Sequence, residues 1–62
     1  MTVKFYSEDG ETSIELAPNY QKSTIDCWLQ KDDEIPLCVS LDIEDVDEMI
    51  EVLKWLSTKV QS

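Results

Sequence analysis

The chain has no histidine and no arginine, one glycine, two prolines and two cysteines in 62 residues. Without histidine it lacks the usual general base and the commonest metal ligand. Without arginine, and with five lysines against 14 acids, it lacks the cationic surface on which nucleic-acid binding depends. No apolar run approaches the roughly 18 residues that span a bilayer, and no basic segment leads into an apolar one as in a secretory leader. The expected location is therefore cytoplasmic, with neither membrane nor direct nucleic acid as partner. In such a reducing compartment Cys27 and Cys38 are expected to remain thiols.

What is present is an apolar fraction of 42% that falls in periodic groups, which points to one small packed domain over residues 1–62 and not to a disordered acidic tail. A chain this short is near the lower limit for a single core, so a homodimer is a natural supplement. The formal net charge of −9 favours basic partners by attraction at a distance.

Along the chain the first signal is "TVKFYSEDGETSIELA". Asp9-Gly10 is the dipeptide of a type I′ hairpin turn, and a two-residue loop there fixes the register. Val3 then faces Leu16, Phe5 faces Ile14 and Ser7 faces Thr12, while Lys4 faces Glu15 and Tyr6 faces Ser13 on the other side. "APNYQK" reads as a loop, because proline and asparagine break the alternation. Alternation resumes with Ile25, Cys27 and Leu29 on one face and Thr24, Asp26, Trp28 and Gln30 on the other. In the second hairpin a two-residue loop would mix the faces. A three-residue loop pairs Leu29 with Leu37, Cys27 with Val39 and Ile25 with Leu41, and sets Trp28 opposite Cys38 on the outer side. Pro36 suits the start of an edge strand.

From Asp42, a reasonable N-cap, the period becomes 3.6. At about 100° per residue, Val46, Met49, Ile50, Leu53, Leu56, Ser57 and Val60 share a stripe about 120° wide. The fold class expected is α+β, ββββα: two hairpins forming a four-stranded antiparallel meander, with one C-terminal helix packed on one face. Strands are expected at about 2–7, 12–17, 23–30 and 35–41 and the helix at about 43–60. The expected core is Val3, Phe5, Ile14, Leu16, Ile25, Cys27, Leu29, Leu37, Val39 and Leu41 beneath the helix stripe.

The segment "DIEDVDEMIE" (residues 42–51) holds six carboxylates. It lacks the glycine and the spacing of a calcium loop, so no metal and no cofactor is expected. Its acids project into water, where a raised catalytic pKa cannot arise, and Cys38 has no histidine to activate it. The chain is therefore not expected to be an enzyme.

The more informative residue is Trp55, about 160° from the centre of the buried stripe and amid the acids. The partner-binding residues expected are Glu44, Asp47, Glu48, Glu51, Val52 and Trp55, with tryptophan as the anchor. The alternative is that the helix is rotated, or that Trp55 folds over a sheet edge or a lysine stem. Tyr6, Trp28 and Cys38 on the outer sheet face form a second surface, for a partner or for self-association. In size and acidity the chain is similar to small phage-encoded inhibitors of nucleases, restriction enzymes, DNA-repair glycosylases and CRISPR effectors, several of which mimic nucleic acid. That resemblance implies an inhibitor or regulator that occupies the basic, nucleic-acid-binding surface of a partner protein, in the host cytoplasm if phage-encoded. The alternatives are a structural or assembly subunit, itself homo-oligomeric, and a protein that sequesters a small ligand between copies.

Overall fold

The computed structural model describes residues 1–61. Four strands, β1 (Val3–Tyr6), β2 (Thr12–Asn19), β3 (Thr24–Lys31) and β4 (Leu37–Leu41), form one antiparallel sheet in the order β1-β2-β3-β4, followed by helix α1 (Ile43–Gln61). The fold is the expected ββββα meander. Both hairpin registers are those required by a single apolar face: Phe5 faces Ile14, Leu29 faces Leu37 and Cys27 faces Val39.

The first turn differs from the type I′ expectation. Gly10 is left-handed with φ 75°, but Asp9 is not, whereas type I′ needs both. The Gly10 amide donates to the Ser7 carbonyl at 3.0 Å and the Ser7 amide to the Thr12 carbonyl at 2.8 Å, so the loop is a wider one of Glu8 to Glu11 with unchanged register. The Asp9 side chain drives the change by accepting from the Glu11 amide at 2.9 Å and from the Ser7 hydroxyl.

A second difference is that β2 runs on through Pro18 and Asn19, residues expected to lie in a loop. Hydrogen-bonding direction alternates along a strand. Because Thr12 bonds toward β1, the even-numbered positions of β2 face that strand, and Pro18 directs its missing donor to where β1 has not yet begun. Nothing is lost there, so the proline is tolerated. The chain reverses through Tyr20 to Ser23, where the Asn19 side chain accepts from the Lys22 amide at 3.1 Å and Ser23 is left-handed at φ 56°. The second hairpin loop is held by the Glu34 amide donating to the Lys31 carbonyl at 2.9 Å and by the Gln30 amide group, which reaches the carbonyls of Asp32 and Glu34.

Asp42 caps α1 as its position implies: its carboxylate accepts from the Asp45 amide at 2.9 Å, and its carbonyl accepts the first helical bond from Val46 at 3.1 Å. Acids at Glu44 and Asp45 in the first turn and Lys59 in the last complement the helix dipole. The principal contact of α1 with the sheet is to β3.

The expected core is not closed within one chain. Among the described residues no apolar side chain is buried, and the sole buried residue is Ser13. The row Phe5–Ile14–Leu29–Leu37, one residue from each strand, is open to solvent, with Leu37 67% exposed. On α1 only Val46 is half-buried, and the stripe beyond it is exposed. The physical reason is the short connection. A single residue, Asp42, joins β4 to α1 and is locked as its cap, so the helix leaves the sheet directly from the end of β4. The radius of gyration is 13.3 Å, against about 10.5 Å for a compact chain of this length.

Candidate protein-binding face

The helix sets out the first candidate surface. With the α1 boundaries and about 100° per residue, Asp47, Glu51, Glu44, Trp55 and Glu48 follow one another around an arc about 100° wide. Val52 lies beside this arc, toward the apolar stripe. All six side chains are exposed. Neighbours at i, i+3 and i+4 are about 5–6 Å apart, so the carboxylates recur along the axis at that interval.

Trp55 is 59% exposed, and the Lys59 ammonium stands 5.3 Å from its ring centroid. The tryptophan stands out among the acids, and a lysine one turn on lies over one of its faces. Such a cation–π contact at an exposed site is worth about 0.5–1 kcal/mol. It orients the ring, and the Thr58 hydroxyl donating to the Trp55 carbonyl at 2.6 Å braces the same turn.

The second surface lies on the sheet face away from the apolar rows. Trp28 sits between Glu15 on β2 and Cys38 on β4, and Tyr6 sits opposite Ser13 one row away. The Lys4 ammonium is 5.5 Å from the Tyr6 ring centroid. Tyr6 and Gln30 flank Ser13 and account for its burial. Tyr6, Trp28 and Cys38 are therefore brought onto one face, although Trp28 is more covered than either Tyr6 or Trp55. Cys27 and Cys38 alternate in position and lie on opposite faces of the sheet, both as free thiols.

One polar cluster on this outer face carries more structure than its sequence advertises. Asp26 accepts from the Ser40 hydroxyl at 2.9 Å, the Asn19 amide at 3.2 Å and the Thr24 hydroxyl at 3.3 Å, so one half-buried carboxylate ties β2, β3 and β4 together. Ser40 foremost, then Asn19 and Thr24, with attraction from Lys22, hold its pKa below the ordinary 3.8. The signal was in the register, which sets Asp26 against Ser40. Asp9 is likewise lowered, by the Ser7 hydroxyl and then the Glu11 amide. Neither carboxylate is poised to take a proton near neutrality.

A shallow apolar depression of about 230 Å³ is lined by Phe5, Ile14 and Leu29 together with Tyr6, Ser7, Thr12 and Ser13. No carboxylate, lysine or cysteine lines it. Among the described residues no three acidic or thiol side chains gather as metal ligands, and no helix is long and apolar enough to cross a membrane. Comparison with protein-family models, with curated proteins and with solved structures finds no match to the chain.

Proposed function

We propose that this is a small acidic binding protein, not an enzyme, that occupies a basic, nucleic-acid-binding surface of a partner protein. The observation that supports this reading is the α1 arc, where Glu44, Asp47, Glu48 and Glu51 stand exposed around Trp55. Carboxylates at about 5–6 Å intervals on a rigid helix match a cleft built to hold successive phosphates, and they raise the rate of encounter. Trp55, already oriented by Lys59, supplies apolar area within the arc, one turn beyond Glu51, and tryptophan is a frequent interface anchor. In size and acidity the chain resembles phage-encoded inhibitors of the anti-CRISPR and anti-restriction kind, several of which mimic nucleic acid. It would approach neither free nucleic acid nor an anionic membrane, because its net charge of −9 repels both.

The test is the triple substitution Glu44→Lys, Glu48→Lys, Glu51→Lys. The partner is first captured with the wild-type chain from nuclease-treated host extract and identified by mass spectrometry. Its affinity is then measured directly at low and high salt. The expected result is a loss of at least about tenfold on charge reversal, a similar weakening by salt, and an unchanged far-UV circular dichroism spectrum. A folded triple variant that binds as tightly as the wild type rejects this arc as the site.

A further inference from the structure

We propose that the open apolar sheet face and the open helix stripe are completed by a second copy of this chain, in a two-fold dimer in which each copy covers the other. The chain exposes 5450 Å², whereas a folded monomer of 7.2 kDa is expected to expose about 4,100 Å². The excess is about 1,300 Å² per chain, or about 2,600 Å² for a pair, which is the size of an obligate homodimer interface. A weak or transient contact would leave most of that excess in water.

The excess is also in the right places. The row Phe5–Ile14–Leu29–Leu37 crosses all four strands and is uncovered, and on α1 every apolar stripe residue after half-buried Val46 is exposed, Val60 at 84%. These two surfaces belong to one chain and do not cover each other. In the arrangement that the one-residue link at Asp42 joins, α1 touches the sheet chiefly at β3 and leaves the far row uncovered. Each copy therefore holds both halves of what is missing, and a two-fold axis lets each supply the other.

Charge restricts where this occupant can sit. A second chain also carries −9, so it can dock only where the acids are absent. The apolar row contains no charged residue, and of the helix acids Glu44, Asp47, Glu48 and Glu51 lie on the side of α1 away from the stripe, with Asp45 at its margin. The occupant must also be at hand as the chain folds, since no apolar side chain among the described residues is buried without it. A second copy always meets that condition. The dimer leaves Trp55 and the acidic arc outside, so it is independent of the function proposed above.

Sedimentation equilibrium and urea unfolding of the full chain from roughly 1 to 100 µM test the proposal. The expected mass is twice that of one chain, with an unfolding midpoint that rises with protein concentration. Thiol labelling of the native protein, with the site read by mass spectrometry, should modify Cys38 readily and Cys27, on the covered face, slowly. Phe5→Asp and Leu56→Asp should each abolish the dimer. If these variants do not fold, the wild-type mass and its concentration dependence still decide. A monomer at 100 µM that unfolds at a concentration-independent midpoint overturns the proposal, as does a species of more than two chains or equal reactivity of the two thiols.

Discussion

Leu37→Ala is the substitution for which a lone chain and a dimer differ most. Leu37 lies on the edge strand β4 and is 67% exposed within one chain. Burying a whole leucine side chain is worth about 1.5–3 kcal/mol, so the third that one chain covers contributes less than about 1 kcal/mol. Alanine also pairs less well in strands, which adds at most about 1 kcal/mol. A lone chain should therefore lose less than about 2 kcal/mol. If a second copy covers Leu37, the removed methyl groups come from a closed core, where leucine-to-alanine changes cost about 2–5 kcal/mol, and each dimer carries the change twice. The assay is urea unfolding followed by far-UV circular dichroism at two protein concentrations, fitted to a dimer that dissociates as it unfolds. A loss below about 2 kcal/mol per chain that is the same at both concentrations would refute the placement of this row in an interface.

Gly10→Ala tests the first turn. At φ 75° with nothing within 4 Å of where a β-carbon would stand, the penalty is purely one of backbone conformation, about 1–2 kcal/mol, and a smaller loss in urea unfolding would mean the loop can adopt another turn. Ser40→Ala tests the Asp26 cluster through pH. The folded-state pKa of Asp26 is depressed, so its contribution to stability is full above the unfolded value and is lost as pH falls through the folded one. The variant should be less stable than the wild type at neutral pH, and the difference should shrink on acidification below about pH 4. A difference that stays constant across that range would show that Ser40 acts on stability without acting through the carboxylate.

Strand pairing was legible because two constraints meet on it. A period of two fixes which residues share a face, and loop length fixes which residues lie opposite, so Leu29 with Leu37 and Phe5 with Ile14 leave no alternative. The helix and its cap followed from the change of period at Asp42. Pro18 was not legible as a strand residue, because its tolerance depends on where β1 starts and on which way even-numbered amides point. The wider first turn was hidden for a related reason, since Asp9 is as good an acceptor for Glu11 as it is a turn former. Least legible was burial. Periodicity says that Phe5, Ile14, Leu29 and Leu37 point the same way, but what lies on top of them depends on the direction in which a one-residue linker sends the helix. The 3.6 period already sets the acids and Trp55 around one arc of α1, whereas the lysine over the ring and the Asp26 cluster depend on side-chain conformations that periodicity does not fix.

The edges of the sheet are less open to association than its face. Its inner strands have 8 residues each, while the edge strands β1 and β4 have 4 and 5, too short to offer a long ladder of unpaired amides to another chain. Pro36 just before β4 and the acidic turn Asp32, Asp33, Glu34 further blunt that edge. A chain with no apolar side chain buried among its described residues would aggregate if both routes stayed open, and its charge of −9 opposes every approach that brings acid against acid. What remains is the apolar face, whose strand residues include no acid, and which one partner can cover and so close. Acidity on this reading has two effects from one cause. It turns away all self-contacts but that one, and it leaves the far side of α1 as a surface that only a basic partner can approach.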